Sequence, residues 1–140
     1  GEEVNIQLGG STRLTGGESA SITWTDSASG YNAYRATVAI GDFDNDGNDD
    51  LTIGEFDYDA DNDFYDEGRI LTIYGPLTSG TTLDSTSYDS VITGSTSGVD
   101  YLLGSTLISL DSNGDGVDDL ATSSPNYSSS KIYIFNGGTM

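Results

Sequence analysis

One stretch of this chain occurs twice, in register and without a gap. Ala39-Ile40-Gly41-Asp42-Phe43-Asp44-Asn45-Asp46-Gly47-Asn48-Asp49-Asp50-Leu51 aligns on Ile108-Ser109-Leu110-Asp111-Ser112-Asn113-Gly114-Asp115-Gly116-Val117-Asp118-Asp119-Leu120. Similarity extends to both sides. Ser21-Ile22-Thr23-Trp24 is like Val91-Ile92-Thr93-Gly94, and Arg69-Ile70-Leu71-Thr72-Ile73-Tyr74-Gly75 is like Lys131-Ile132-Tyr133-Ile134-Phe135-Asn136-Gly137. Such self-similarity marks a repeat architecture, in which each unit buries its apolar surface against the next.

Each unit reads as short strands. In the first copy they fall at residues 36–41, 51–54, 69–74 and 90–93, here termed A to D. With many Ser, Thr, Asp and Tyr, 19 Gly and only 2 Pro, the composition favours strands and tight turns over helices. In strand C, Ile70 and Tyr74 point to one face and Leu71 and Ile73 to the other; Ile132 and Ile134 against Tyr133 and Phe135 repeat this. Apolar residues on both faces require both faces to be covered, which predicts stacked sheets, as in propeller blades. An ordinary β-sandwich is the alternative. Val4-Asn5-Ile6-Gln7-Leu8-Gly9-Gly10 matches strand C a third time. The expected organisation is a single domain of two tandem repeats of four antiparallel strands, at residues 31–99 and 100–140, the second incomplete. Residues 1–30 supply the C and D strands of a preceding blade.

The repeated segment carries the chemistry. Its spacing, D-x-[D/N]-x-D-G-x-x-D, sets oxygen ligands at positions 1, 3, 5 and 9, a backbone carbonyl at position 7, and a turn-forming Gly at position 6. In the first loop these are Asp42, Asp44, Asp46, Asp50 and the Asn48 carbonyl; in the second, Asp111, Asn113, Asp115, Asp119 and the Val117 carbonyl. About six oxygens suit Ca²⁺, so two ions are expected. An EF-hand would need a Glu at position 12 and a following helix. Ile53 and Thr122 stand there, inside strand-like runs. The bland alternative is a pair of solvated acidic turns, which accounts for the Asp-Gly pairs but not for ligand spacing occurring twice.

Charge points the same way. There are 23 acidic residues against four basic ones, a net charge of −19, which excludes nucleic acid as a partner and favours bound cations. Cys and His are both absent, which removes the usual zinc ligands and every catalytic dyad or triad built on His. No apolar run is long enough to span a bilayer. Paired carboxylates could hydrolyse glycosides, but most of the aspartates are committed to the loops, so a non-enzymatic role is expected.

These residues resemble the FG-GAP repeats of integrin α-subunit β-propellers and related microbial surface proteins. Leu103-Gly104 sits where that family has Phe-Gly, and Ser123-Ser124-Pro125 where it has Gly-Ala-Pro. In the first copy Tyr34-Arg35 and Gly54-Glu55-Phe56 hold those places, so the borders diverge while the loop is intact. The resemblance implies calcium in the A–B loops and a ligand face at the opposite end, where residues 24–34, 55–67, 95–101 and 124–130 would lie. Trp24, Tyr31, Tyr34, Tyr58 and Tyr65 are its candidate contacts, with core or rim packing as the alternative for Trp24. The implied function is an extracellular or cell-surface adhesion module binding a protein or glycan. Its alternative is a self-assembling scaffold or filament whose copies join head to tail.

Two further features are candidates. Asp59, Asp61, Asp63 and Glu67 repeat ligand positions 1, 3, 5 and 9, but Phe64 replaces the turn glycine, so a third ion site competes with a solvated acidic loop. Asn126-Tyr127-Ser128 is a glycosylation sequon.

Overall fold

The computed structural model describes residues 3–7, 22–25, 36–59, 66–95, 101–126 and 129–138. They form strands β1 (Glu3–Ile6), β2 (Ile22–Thr25), β3 (Ala36–Gly41), β4 (Asp50–Glu55), β5 (Arg69–Ile73), β6 (Thr81–Asp84), β7 (Ser90–Thr93), β8 (Leu107–Leu110), β9 (Asp119–Ser124) and β10 (Lys131–Phe135). No helix occurs among the described residues, and the protein is all-β.

Three sheets result, in the orders β1-β2-β6, β3-β4-β5-β7 and β10-β9-β8. The middle sheet is an antiparallel meander in which Ile40 pairs with Leu51, Leu51 with Ile73, and Ile70 with Ile92. The last sheet repeats its first three strands, pairing Ile108 with Ala121 and Ala121 with Ile134.

Two apolar layers hold the sheets together. Trp24, Leu51, Ile53, Leu71 and Ile73 pack with Val4, Ile6 and Leu83 between the first and middle sheets. Ala39, Phe43, Ile70, Leu103, Leu107 and Leu120 pack with Ile92, Tyr133 and Phe135 between the middle and last sheets. Every residue of β4 is buried, because the middle sheet is covered on both faces. The close approach of the sheets needs a glycine at residue 54. A Cβ there would lie 2.5 Å from the Gly104 carbonyl oxygen, the group that accepts a 2.6 Å hydrogen bond from Thr37 Oγ1.

Two features depart from the sequence reading. The connection from β5 to β7 contains β6, which leaves its own unit and pairs in parallel with β2, Trp24 opposite Leu83. Among the described residues, the last sheet is covered on one face only: Ile108, Ile132 and Ile134 on its other face are 53%, 78% and 52% exposed.

Candidate metal centre

The repeated segments form the β3–β4 and β8–β9 loops, at residues 42–49 and 111–118. Their backbones turn at the same places. Positions 4 and 6 have positive φ in both loops, at Asn45 (64°) and Gly47 (88°) in the first and Gly114 (81°) and Gly116 (89°) in the second. Gly reaches this region without penalty, and Asn tolerates it better than most residues.

Several hydrogen bonds inside the first loop recur at the same positions of the second. The position 5 amide donates to the position 1 carboxylate, Asp46 to Asp42 at 3.0 Å and Asp115 to Asp111 at 3.2 Å. It also donates to position 3, to Asp44 at 3.0 Å and to Asn113 at 2.8 Å. The glycine amide donates to the second oxygen of position 1, 2.9 Å from Gly47 to Asp42 and 3.0 Å from Gly116 to Asp111. These bonds turn the side chains of positions 1 and 3 inward. In the first loop Asp42, Asp44 and Asp50 each bring a carboxylate oxygen within 4.8 Å of the others. Like charges this close repel by about 1 kcal/mol per pair in water and several times more near a protein surface, so the cluster favours a cation. The donors are all oxygens, which suits Ca²⁺ or Mg²⁺ over softer metals. Asp46 instead accepts from the Asn48 amide at 2.7 Å and from its side-chain nitrogen at 3.0 Å.

Position 9 is wholly buried in both loops, and the backbone holds it at both ends. Asp50 accepts from the Phe43 and Gly75 amides, each at 2.8 Å. Asp119 accepts from the Ser112 amide at 2.9 Å, the Gly137 amide at 3.0 Å and the Ser112 hydroxyl. Their acidities move apart. Burial pushes the Asp50 carboxyl above its ordinary value, with the Asp44 charge adding to it and the two amides opposing. The Ser112 hydroxyl and then the Gly137 amide hold Asp119 below its own.

The other candidates are dispersed. Trp24 is fully buried between the first and middle sheets, so its place on a ligand face is corrected to a core position. Tyr58 lies beneath the Arg69 guanidinium, 3.9 Å from its ring centroid, and Arg69 in turn pairs with the buried Glu55 opposite it on β4. Tyr31, Tyr34 and Tyr65 lie outside the described residues, as do Asp61 and Asp63 of the third site. Asp59 is half-buried and Glu67 buried. Both sit near Asp66, whose carboxyl is pushed up by burial first and then by the charges of Asp57, Asp59 and Glu67. Asn126 is half-buried, while Tyr127 and Ser128 of its sequon lie outside the described residues.

Sequence reasoning passed over Phe43, Ser112 and Asp118. Loop spacing marks none of them as ligands: Phe43 packs against the last sheet, Ser112 bonds Asp119 within its own loop, and Asp118 reaches Asp42 of the other loop. In comparisons with known proteins, no family model matches this chain and no curated protein matches it.

Proposed function

We propose that this chain is a calcium-binding, non-enzymatic recognition module of an extracellular or cell-surface protein, built of FG-GAP-like propeller blades. One observation carries the reading: two loops of ligand spacing adopt one hydrogen-bonding scheme, and the first gathers Asp42, Asp44 and Asp50. Asp42, Asp44, Asp46, Asp50 and the Asn48 carbonyl would hold one ion; Asp111, Asn113, Asp115, Asp119 and the Val117 carbonyl would hold the other. Calcium there would neutralise converging carboxylates and stiffen the loops at one end of the sheets. The opposite end, where β4 and β9 finish at Glu55 and Ser124, is then the face that would bind a protein or glycan.

Titration calorimetry of the chelator-treated chain tests this, with two ions expected. Asp46→Ala and Asp115→Ala should each remove one, and unchanged stoichiometry in both variants would defeat the assignment.

A second reading, a self-assembling scaffold, is favoured by the uncovered face of the last sheet. The positions equivalent to Ile108 and Ile132 in the middle sheet, Ala39 and Ile70, are buried under the last sheet. The outward face of the first sheet is polar, with Thr23 bonded to Asn5. Head-to-tail contact between the two end faces would therefore set Ile against Thr and Asn, and a pair of copies joined through their last sheets fits better. Sedimentation in calcium checks this. A monomer at high concentration, with Ile132→Lys having no effect, excludes it.

A further inference from the structure

We propose that the two loops are coupled, so that an ion in one strengthens binding in the other, and that Asp118 is the positioning residue that couples them. This rests on the calcium reading above.

The gapless repeat equates Asp118 with Asp49, yet the two residues are placed differently. Asp49 is exposed, whereas Asp118 is half-buried and its carboxylate reaches out of its own loop. Asp118 Oδ2 accepts from the Asp42 amide at 3.1 Å, and the Asp118 amide donates to the Asp42 carbonyl at 3.3 Å. Both backbone polar groups of the first ligand position in one loop are thus held by a single residue of the other. That residue sits between the position 7 carbonyl and the position 9 carboxylate of its own loop. Space is made for it at Gly41, where a Cβ would come 2.6 Å from Asp118 Oδ2 and 2.5 Å from Ser109 Oγ. In the second copy Leu110 takes the place of Gly41, on the uncovered face.

A second bridge runs alongside. Consecutive amides after β10 divide between the loops: Gly137 donates to Asp119 at 3.0 Å and Gly138 to the Phe43 carbonyl at 2.7 Å. Phe43 is anchored in the core against the last sheet. The backbone of the second loop is therefore part of the frame that sets Asp42.

An ion that orders the second loop fixes Asp118, and through it the Asp42 backbone, so the next ion meets a loop whose ordering cost is partly met. Electrostatics opposes this, because the first dication weakens the negative potential that draws the second. That opposition is screened by salt, whereas the hydrogen-bonded contact is not. The net coupling is therefore positive at physiological ionic strength.

The test uses the full chain in about 0.15 M salt, the ionic strength at which the Debye length is near 8 Å, with calcium as the probe. Loop affinities measured singly in Asp46→Ala and Asp115→Ala are compared with the two binding constants of the unaltered chain. Filling either loop should raise the affinity of the other about five- to tenfold, by the same factor in both directions as linkage requires. Asp118→Ala should keep two ions and bring the factor to about one, and Asp118→Asn, which retains an acceptor oxygen, should restore most of it. Two ions bound with independent affinities, or a factor unchanged in Asp118→Ala, would overturn the coupling and leave the calcium reading intact. No ion bound at all would defeat the calcium reading itself. If Asp118→Ala does not fold, hydrogen exchange decides the matter in Asp46→Ala: loading the second loop should slow exchange at the Asp42 amide, and no slowing overturns the proposal.

Discussion

Phe43 and Ser112 occupy the same position of the two loops and put it to opposite uses. Phe43 is a wholly buried plug between the middle and last sheets, while Ser112 turns its hydroxyl back onto Asp119. Phe43→Ala should therefore cost about 3–5 kcal/mol, the usual range for emptying a buried aromatic site. A loss under about 1 kcal/mol in urea unfolding would show that the layer closes over the gap. Position 3 differs by charge alone. Asp44 offers a carboxylate where Asn113 offers a neutral oxygen, and ligand charge tunes calcium affinity. The first loop should be the tighter, and Asp44→Asn should weaken it by about an order of magnitude. Tighter binding at residues 111–119 in single-loop variants would reverse this ranking.

Among the elements, β6 is the one that local pattern did not disclose. Thr81-Thr82-Leu83-Asp84 is a short run between Gly80 and Ser85, and what makes it a strand is pairing with β2, far away in sequence. A turn closes it at the far end. Asp84 Oδ1 accepts from the Thr86 amide at 2.8 Å, the Thr86 hydroxyl at 2.6 Å and the Ser87 hydroxyl at 3.1 Å. These bonds, the Thr86 hydroxyl foremost, hold the Asp84 carboxyl below its ordinary value of 3.8. A carboxyl lowered on folding binds fewer protons in the native state than in the unfolded one. Its contribution is present in full well above 3.8 and is lost as pH falls through the lower, folded value. The unaltered chain should be more stable than Asp84→Asn at neutral pH, and the gap should close as pH falls through the lowered, folded value in paired urea titrations. A gap independent of pH would mean that the turn does not depend on the charge.

At the scale of the whole molecule, the net charge of −19 and the first-loop carboxylates of Asp42, Asp44 and Asp50, within 4.8 Å of one another, belong to one problem. Salt at 0.1 M screens over about 10 Å, which eases the general repulsion but not a cluster this tight. Chelation should accordingly destabilise the chain, and sodium chloride should recover only part of the loss. At free calcium of about 100 times the dissociation constant, each ion adds about 2.7 kcal/mol, so two ions should raise Tm by roughly 10–20 °C. Equal recovery by calcium and by sodium chloride at matched ionic strength would show screening without site binding. The loops were legible in the sequence because their oxygen-bearing side chains lie within nine consecutive residues, where spacing alone fixes the hydrogen bonds among positions 1, 3, 5 and 6. The β class and most of the strands were legible too, since alternation and glycine placement are local signals. Only the tertiary structure decided that Trp24 is buried, that β6 crosses to another sheet, that Asp118 clamps Asp42, and that Ile132 and Ile134 are left uncovered. Each of these depends on which distant backbone comes to lie alongside, and a period of two along a strand shows that a face is apolar without showing what will cover it.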